Sequence, residues 1–420
     1  MRQCIPVGWW CVVVVVVVIG FAGCKSGGGV SSDHAQLKAG ESFADDLAFL
    51  RRYSEVIQLQ DVAGQARVAV APEYQGRVMT STAGGDAGPS FGFIHRENVA
   101  KRERVPHINV FGGEDRFWLG PESGQFGLYF PAGSKFELAN WQVPEAVDWG
   151  PWLVLAHTPH EVRLQRDIQL QNYSGTTFVM HVDRAVRVLE RPAIASAFGI
   201  ELPASVSLVG YESENLIRNT GPEPWTKETG LVSIWVLGMY KPSAKTTIVI
   251  PFVAGPETEL GPTVNDAYFG KIPSDRLKVE TRALFFRGDG QSRGKIGISR
   301  PRARPIVGSY AAEGRMLTLV QYTLDPAATD YVNSMWQVQE HPYAGDVVNS
   351  YNDGPPEPGK RPLGPFYELE TSSKAAELAP AEALTHVHRT LHVTGPREAL
   401  DAIAQSALGV TLAEIENAFP

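Results

Sequence analysis

The fold of this chain is decided by two neighbouring segments, Val162-Arg163-Leu164-Gln165-Arg166-Asp167-Ile168-Gln169-Leu170 and Thr177-Phe178-Val179-Met180-His181-Val182-Asp183-Arg184-Ala185-Val186-Arg187-Val188-Leu189. Both are rich in β-branched and other apolar residues, which is typical of β-strands. Segments of the same kind follow one another along most of the chain, so meandering antiparallel strands are predicted. The other candidates are residues 56–59, 66–70, 77–82, 127–130, 152–155, 205–212, 231–237, 246–252, 278–286, 294–298 and 316–322.

Glycine and proline punctuate these segments. The chain contains 41 Gly and 30 Pro residues, and little of it has helical periodicity. This combination predicts an all-β protein, a large antiparallel β-sandwich of many strands. Because no break in composition divides the sandwich, a single domain over residues 43–420 is expected.

Helical periodicity is confined to the two ends of this domain. Residues 43–53 place apolar side chains on one helical face. Residues 396–408 do the same, and Thr411 followed by Glu414 forms a capping-box pattern that opens a final short helix. We expect both C-terminal helices to pack against an edge of the sandwich or to cover one end.

The first 23 residues have the pattern of a bacterial lipoprotein signal peptide. Arg2 precedes an apolar run that ends in Phe21-Ala22-Gly23-Cys24. Cleavage before Cys24 would leave its thiol to carry the lipid, and residues 24–42, rich in Gly and Ser, would form a flexible tether. The alternative is an uncleaved membrane anchor, for which the run is short. The predicted location is the cell envelope, lipid-anchored at the outer membrane or the periplasmic face.

Composition restricts the other partners. The chain has 46 acidic residues against 38 Lys and Arg, a net charge of −8, and no basic stripe, which argues against nucleic-acid binding. All three cysteines, Cys4, Cys11 and Cys24, lie in the N-terminal segment, so the mature chain cannot form an internal disulfide and depends on its core. A monomer is expected.

The densest polar chemistry lies in residues 107–122, beside the pair Gly112-Gly113. Glycine there can take positive φ or allow another backbone to come close. The carboxylates, guanidinium and indole of this stretch offer hydrogen bonds and a flat apolar face, which are the contacts that a sugar needs. The alternative is that Arg116 pairs with Glu114 or Glu122 and that Trp118 belongs to the core. The candidate binding residues are Asn109, Glu114, Asp115, Arg116, Trp118 and Glu122, with His95 and Arg96 shortly before them.

A second polar region begins at residue 340. Residues 340–354 are rich in turn formers and are predicted to form a long surface loop, which is a common place for binding residues. Asn349 and Asp353 are the candidates for binding, although either could instead bond its own backbone in a turn. His341 is a candidate proton-transfer residue.

The following segment, residues 366–373, is predicted to be a strand. Its period of two places Glu368 and Glu370 on one face, about 6 to 7 Å apart. Two carboxylates this close raise the pKa of at least one of them when water is excluded, which makes a competent general base. The alternative is an ordinary solvated strand face.

A last strand, residues 385–393, carries histidines at alternate positions, His386, His388 and His392. The first and last are about 20 Å apart along an extended strand, so one ion cannot be bound by all three. A polar face that lines part of a cleft, with His386 as a candidate binding residue, is the preferred interpretation. We expect no metal and no cofactor.

Four pieces of the chain together resemble an uncharacterised family of bacterial lipoproteins related to galactose mutarotase. The resemblance covers roughly residues 56–419. The pieces are Gly76-Arg77-Val78-Met79-Thr80, Gly112-Gly113-Glu114-Asp115-Arg116-Phe117-Trp118-Leu119-Gly120-Pro121-Glu122, Val209-Gly210-Tyr211-Glu212-Ser213-Glu214-Asn215, and residues 366–373 with the histidine-rich strand.

The resemblance implies a very large antiparallel sandwich, the galactose mutarotase-like supersandwich, with a sugar cleft on one concave sheet face. In aldose 1-epimerases a late-strand glutamate takes the proton of the anomeric hydroxyl, and Glu370 matches it, with Glu368 as competitor. The family histidine that protonates the ring oxygen has no counterpart in the matching segment, residues 231–240. His341, Arg116 or His95 would have to replace it, or the cleft only binds.

The sequence therefore supports a carbohydrate-binding or carbohydrate-processing envelope lipoprotein, with anomeric epimerisation as the most specific reaction. One alternative is a non-catalytic assembly lipoprotein with an exposed apolar patch. Another is a polysaccharide lyase or hydrolase that pairs Glu368 with Asp346 or His341. The carbohydrate hypothesis requires the Gly112-Gly113 region and the Glu370 strand to meet at one cavity.

Overall fold

The computed structural model describes residues 42–419. The predicted signal peptide, the lipidation site Cys24 and all but the last residue of the predicted tether lie outside these residues. The described strands are β1 Ile57–Gln60, β2 Arg67–Ala71, β3 Arg77–Thr82, β4 Arg116–Gly120, β5 Leu153–His157, β6 Glu161–Gln171, β7 Thr177–Leu189, β8 Ser207–Asn219, β9 Ser233–Tyr240, β10 Thr246–Pro251, β11 Leu277–Val279, β12 Ala283–Arg287, β13 Gly294–Ser299, β14 Ile306–Ala311, β15 Met316–Tyr322, β16 Asp346–Asn352, β17 Tyr367–Ser372 and β18 Ala383–Thr394. The α-helices are α1 Phe43–Leu50, α2 Arg96–Lys101, α3 Glu145–Asp148, α4 Arg191–Phe198, α5 Glu257–Leu260, α6 Arg397–Leu408 and α7 Leu412–Glu416.

The strands form three antiparallel sheets. The largest has ten strands in the order β11-β12-β10-β14-β15-β18-β8-β7-β6-β5, and the second has five in the order β13-β16-β17-β9-β4. A small sheet, β1-β2-β3, continues beyond β4 through a bridge between Val78 and Asp115. The prediction of an all-β protein with a large antiparallel sandwich is confirmed.

The core lies between the ten-stranded and the five-stranded sheets. One part packs strands β6 to β8 against β4 and β9, through residues such as Val182, Tyr211 and Val236. Another packs β10, β14 and β15 against β13, β16 and β17, through residues such as Ile248, Ile296 and Leu369. Each strand of the five-stranded sheet therefore turns alternate side chains into this core and the others outward.

The helices cover the outer face of the ten-stranded sheet. α4, α6 and α7 bury residues such as Ile194, Leu400 and Ile415 against Leu391 and Val393 of β18. α7 begins with the expected capping box between Thr411 and Glu414. The C-terminal helices were expected at an edge or end of the sandwich, but they lie on a sheet face because β18 is central in that sheet.

Two local predictions were wrong, and one helix was missed. Residues 340–354 are not all loop, since residues 346–352 form the buried strand β16. Residues 127–130 are buried, yet they form an irregular segment rather than a strand, in which the Leu128 and Tyr129 amides donate to the Pro121 and Glu122 carbonyls. The helix α4 was not predicted from its sequence. None of the described helices is long and apolar enough to cross a membrane.

Candidate functional site

The outward face of the five-stranded sheet forms the floor of the main cavity, whose volume is about 640 Å³. Strand register decides which side chains line it. Arg116 and Trp118 of β4 lie opposite Leu237 and Trp235 of β9, and Leu237 lies opposite Glu370. The same face continues through Tyr351 of β16 to Lys295 of β13. All five strands therefore contribute side chains to one surface.

Aromatic rings form much of the cavity wall. Trp118 and Trp235 meet edge to face with their ring centroids 5.6 Å apart, and Trp141 and Trp336 stack at 6.2 Å. Trp141 follows the short 3-10 helix Leu138–Asn140, and Trp336 lies in the connection between β15 and β16. These rings come from distant parts of the chain, and together they give the cavity flat apolar faces.

Glu368 lines the cavity and forms a buried ion pair with Arg116. Burial raises the pKa of Glu368 to about 8; Arg116 opposes this rise, and the charge of Glu370 adds to it. The guanidinium of Arg116 also lies 4.9 Å from the ring centroid of Trp118. At neutral pH this carboxyl can both give and take a proton, while Arg116 remains beside it to stabilise the ionised form.

Glu370 lies on the same face but is fully buried behind its partners. Its Oε2 accepts a hydrogen bond from the indole of Trp235 at 3.0 Å and one from Lys295 Nζ at 3.0 Å. Lys295 also lies 4.6 Å from the ring centroid of Trp235. Burial alone would lower the pKa of Lys295, but Glu370 and the other carboxylates around it raise that pKa. Glu370 and Lys295 therefore form a fixed ion pair below the aromatic wall.

Two further carboxyls line the cavity. Burial raises the pKa of Glu122, with Lys295 opposing the rise. Burial also raises the pKa of Asp353 to about 6, although Asp353 accepts hydrogen bonds from the Tyr351 hydroxyl at 2.9 Å and from the Gly364 amide at 2.8 Å. The site thus combines several carboxyls of altered acidity with cations and tryptophans.

The sequence of residues 41–419 matches a family of unknown function, DUF6786. The chain belongs to this family. No curated protein matches the sequence.

Solved structures similar to this DUF6786 member share little of its sequence. They include the Slr1438 protein from Synechocystis sp. PCC 6803 (13% identity, TM-score 0.47, covering 82% of this chain and 96% of the other). They also include a putative aldose 1-epimerase from Escherichia coli K12 (14%, 0.45, 81% and 99%) and a galactose mutarotase-like protein from Lactobacillus casei ATCC 334 (9%, 0.46, 80% and 100%). At these identities and TM-scores the similarity gives no information about the reaction.

The predicted meeting of the Gly112-Gly113 region with the late glutamate strand occurs in this DUF6786 member, but through fewer residues than expected. Arg116, Trp118, Glu122, Asp353 and Glu368 line the cavity. Arg116 pairs with Glu368 across the sheet, rather than with the sequence-near Glu114 or Glu122. Of the two late-strand glutamates, it is Glu368 and not Glu370 that faces the open cavity.

Glu114 and Asp115 lie away from the cavity, on the inner side of the five-stranded sheet. Glu114 accepts hydrogen bonds from the Ser81 amide at 2.6 Å and the Tyr211 hydroxyl at 3.0 Å, and it contacts His392 at 3.1 Å. Asp115 forms a fully buried ion pair with Arg184 at 2.6 Å. Alternation explains Asp115, because the next position, Arg116, faces the cavity. Glu114 lies before β4, directly after the positive-φ pair Gly112-Gly113, so the strand alternation does not extend to it. Their roles are structural.

The glycine pair before them has the expected backbone. Gly112 and Gly113 have φ of +94° and +109°. A Cβ on Gly112 would lie 2.0 Å from the carbonyl oxygen of Phe93. The pair therefore allows close backbone packing that brings Arg116 into β4, and it does not itself approach the cavity.

Four more candidates are held in local contacts outside the cavity. His95 caps α2 by accepting from the Asn98 amide, and Arg96 forms an ion pair with Asp46. Asn109 bonds Asp148 at 2.6 Å, and the side chain of His341 is largely exposed beside Glu340. These positions do not support the predicted binding or proton-transfer roles.

Two candidates face other parts of the sandwich. His386 and His388 are fully buried between the sheets and both contact the Thr371 hydroxyl at 2.9 Å, so the histidine face of β18 lines the core and not a cleft. Asn349 contacts Tyr268 and the Ile296 carbonyl at 3.2 Å, in a small hollow beside the main cavity. Among residues 42–419 no cluster of His, Cys, Asp and Glu is arranged to hold a metal ion.

Several cavity residues were not predicted from the sequence. Lys295 and Trp235 lie in segments that read as plain strands, and Trp336 and Arg293 lie in or beside connections. The available signal was the alternation within predicted strands, which places Trp235 and Leu237 on one face and Lys295 and Gly297 on one face. To choose the residues that face the cavity, one must also know that β9 pairs with β17 and β13 with β16. This pairing cannot be read from the sequence.

Proposed function

We propose that the cavity binds a carbohydrate and that Glu368 transfers a proton to or from it, in an anomeric epimerisation. The observation that carries this proposal is the position of the Glu368–Arg116 pair in the wall of a cavity of about 640 Å³ that four tryptophans also line. This size lies within the usual range for small-molecule sites.

The walls match the chemistry of a sugar. A sugar ring has apolar C–H faces, which pack on flat aromatic surfaces such as those of Trp118 and Trp336. Its hydroxyls need hydrogen-bonding groups at the same time, and Arg116, Glu122 and Glu368 supply them. A purely apolar ligand would displace water from these polar groups without replacing its hydrogen bonds, which is unfavourable.

Glu368 is suited to act on the ring oxygen. In its protonated form it donates a proton to the ring oxygen while a second carboxylate takes the proton of the anomeric hydroxyl. The bond between the anomeric carbon and the ring oxygen then breaks and an open-chain aldehyde forms. Closure on the other face of the aldehyde reverses both transfers. Glu122 or Asp353 would act as the second group, and Arg116 stabilises Glu368 after it has lost its proton.

The cellular location forms a second part of the proposal. The sequence pattern around Cys24 supports a lipid-anchored protein of the cell envelope, in which the sandwich follows a Gly/Ser-rich segment. In this location the cavity would act on carbohydrates outside the cytoplasm.

Polarimetry and NMR on freshly dissolved aldoses, using a soluble chain without residues 1–24, test the reaction. We expect faster mutarotation of at least one aldose and loss of most of this acceleration in Glu368→Gln, with Glu201→Gln, at an exposed position, as the matched control. Tryptophan fluorescence follows binding separately. Acceleration that survives in Glu368→Gln would overturn the catalytic part, and an absence of binding by every sugar would overturn the whole proposal.

A further inference from the structure

The charged groups that line the cavity do not follow the charge of the whole protein. The full chain has a net charge of −8. The cavity, by contrast, is lined by five Lys and Arg residues and four Asp and Glu residues. The cations are Arg116, Arg293, Lys295, Lys360 and Arg361, and the acids are Glu122, Asp353, Glu357 and Glu368.

Two of the cations already have a carboxyl partner on the cavity floor. Arg116 pairs with Glu368, and Lys295 pairs with Glu370. The other three, Arg293, Lys360 and Arg361, form no salt bridge with any residue in 42–419. Their positive charge is therefore available to a ligand.

Arg293 is held in a defined place without a carboxylate. Its guanidinium carbon lies 3.7 Å from the ring centroid of Phe269, a close cation–π contact. Phe269 in turn packs edge to face on Trp336 and Tyr351, with ring centroids 6.2 and 6.0 Å apart. Stacking fixes the plane of the guanidinium and leaves its N–H groups free to donate to a carboxylate or phosphate.

Lys360 and Arg361 lie on the segment that joins β16 to β17. Asp353 fastens this segment at its two ends, because it directly precedes residue 354 and accepts from the Gly364 amide at 2.8 Å. Between these ends, Lys360 and Arg361 are exposed at the cavity mouth. One acid, Glu357, lies on the same segment.

Two of the acids that line the cavity below the mouth, Glu122 and Asp353, are buried. Burial raises the pKa of Glu122 and raises the pKa of Asp353 to about 6. In both groups burial disfavours the charged form. A third acid, Glu368, is already paired with Arg116.

We infer that the cavity selects carbohydrates that carry an anionic group, a carboxylate or a phosphate, which is bound at the mouth by Arg293, Lys360 and Arg361. This inference rests on the proposed carbohydrate function and names its substrate class. The sugar ring would lie on the tryptophans, and its anionic group would point toward the segment between β16 and β17.

Binding to matched neutral and anionic sugars tests the inference. Tryptophan fluorescence or calorimetry would compare glucose, glucuronate and glucose 6-phosphate, and their galactose counterparts, at low and high salt. We expect at least one anionic sugar to bind about tenfold more tightly than its neutral parent, because charge-assisted hydrogen bonds are the stronger class. Added salt should reduce this preference. The uronate and phosphate arms distinguish the two anions.

Two variants assign the preference to residues. Arg293→Met keeps the apolar contact with Phe269, and the double change Lys360→Met with Arg361→Met removes the charges at the mouth. Each should reduce the preference for the anionic sugar while neutral sugars bind as before, and Arg51→Met, at an exposed position of α1's C-cap, should change nothing.

The outcomes separate this inference from the proposed function. Equal affinity for neutral and anionic sugars would overturn the inference and leave carbohydrate binding intact. A preference that is unchanged in both variants would overturn the assignment to the mouth. Failure of all six sugars to bind would overturn the inference and the proposed function together.

Discussion

Glu368 and Glu370 are two positions apart in β17 and share a face, yet their surroundings give them different chemistry. Glu370 is fixed by the Trp235 indole and Lys295. Glu368 faces the open cavity beside Arg116. A buried carboxylate held in an ion pair away from the cavity serves mainly to position its neighbours, whereas one that faces the cavity and has a raised pKa can exchange protons.

The raised pKa of Glu368 has a consequence for stability. In the unfolded chain its pKa is near 4.5, and in the folded protein it is about 8, so the folded state binds more protons between these values. The free energy of unfolding should therefore contain a term that is fully present below about pH 4.5 and is lost as pH rises through about 8. Each pKa unit corresponds to about 1.4 kcal/mol, so the total is of the order of a few kcal/mol.

Urea unfolding from pH 5 to pH 9 measures this term by comparison of Glu368→Gln with the native protein. We expect the variant, which lacks the titrating group, to lose less stability as pH rises. Glu201→Gln, at an exposed site, should follow the native curve. Parallel curves for the native protein and Glu368→Gln would show that the Arg116 pair keeps Glu368 ionised throughout.

The strands show where sequence reasoning succeeded. β7 and β15 were predicted with their observed bounds. Side chains of β7 largely alternate between buried and partly exposed positions, and those of β15 are mostly buried on both faces. β4 and β16 were missed because their outward positions carry polar or aromatic groups of the site, such as Arg116 and Tyr351, which interrupt the strand pattern. Residues 127–130 were wrongly assigned to a strand because apolar composition indicates burial rather than backbone conformation.

The strand pattern also predicted part of the site. The period of two correctly placed Glu368 and Glu370 on one face of the strand, but it could not say which face lies outward. That choice depends on long-range pairing of β17 with β9 and β16. Consequently Glu114 and His386, which are just as polar, were assigned to the cleft although they face the core.

A glycine in β9, Gly238, allows the close contact between this strand and the residues just before β4. A Cβ on Gly238 would lie 2.4 Å from both the carbonyl oxygen of Glu114 and the hydroxyl of Tyr240. Gly238→Ala should therefore push β9 out of register with the cavity floor and destabilise the protein by about 1 to 3 kcal/mol. The neighbouring Leu237 and Met239 would move with it, so sugar binding should weaken as well.

Thermal unfolding and sugar titration of Gly238→Ala check this expectation. Gly314→Ala is the matched control, since a Cβ there meets no atom within 4 Å. Unchanged stability in Gly238→Ala would mean that the inner face has more room than the described contacts allow, and that β9 does not hold the floor in place.

The whole chain is acidic, whereas three cations at the cavity mouth form no salt bridge within residues 42–419. An acidic protein disfavours the approach of anions in general, and we expect these cations to attract them to a single place. Charge is in this way concentrated where it can discriminate between ligands. The same reasoning predicts that added salt weakens the binding of an anionic sugar more than the binding of its neutral parent.

Attachment to the envelope is the remaining prediction, and it concerns the chain outside the described residues. If Cys24 carries lipid, the protein expressed in a Gram-negative host with its own residues 1–23 should enter the detergent phase of a Triton X-114 partition. Cys24→Ser should leave the protein in the aqueous phase or uncleaved, because the lipid is added to this thiol before cleavage. Cys11→Ser, within the apolar run, is the matched control and should partition like the native chain.

Mass spectrometry of the N-terminus separates the alternatives: a diacylglyceryl-modified Cys24 supports the lipoprotein, and an intact residue 1 in the detergent phase supports an uncleaved anchor. A native chain that stays in the aqueous phase would contradict both.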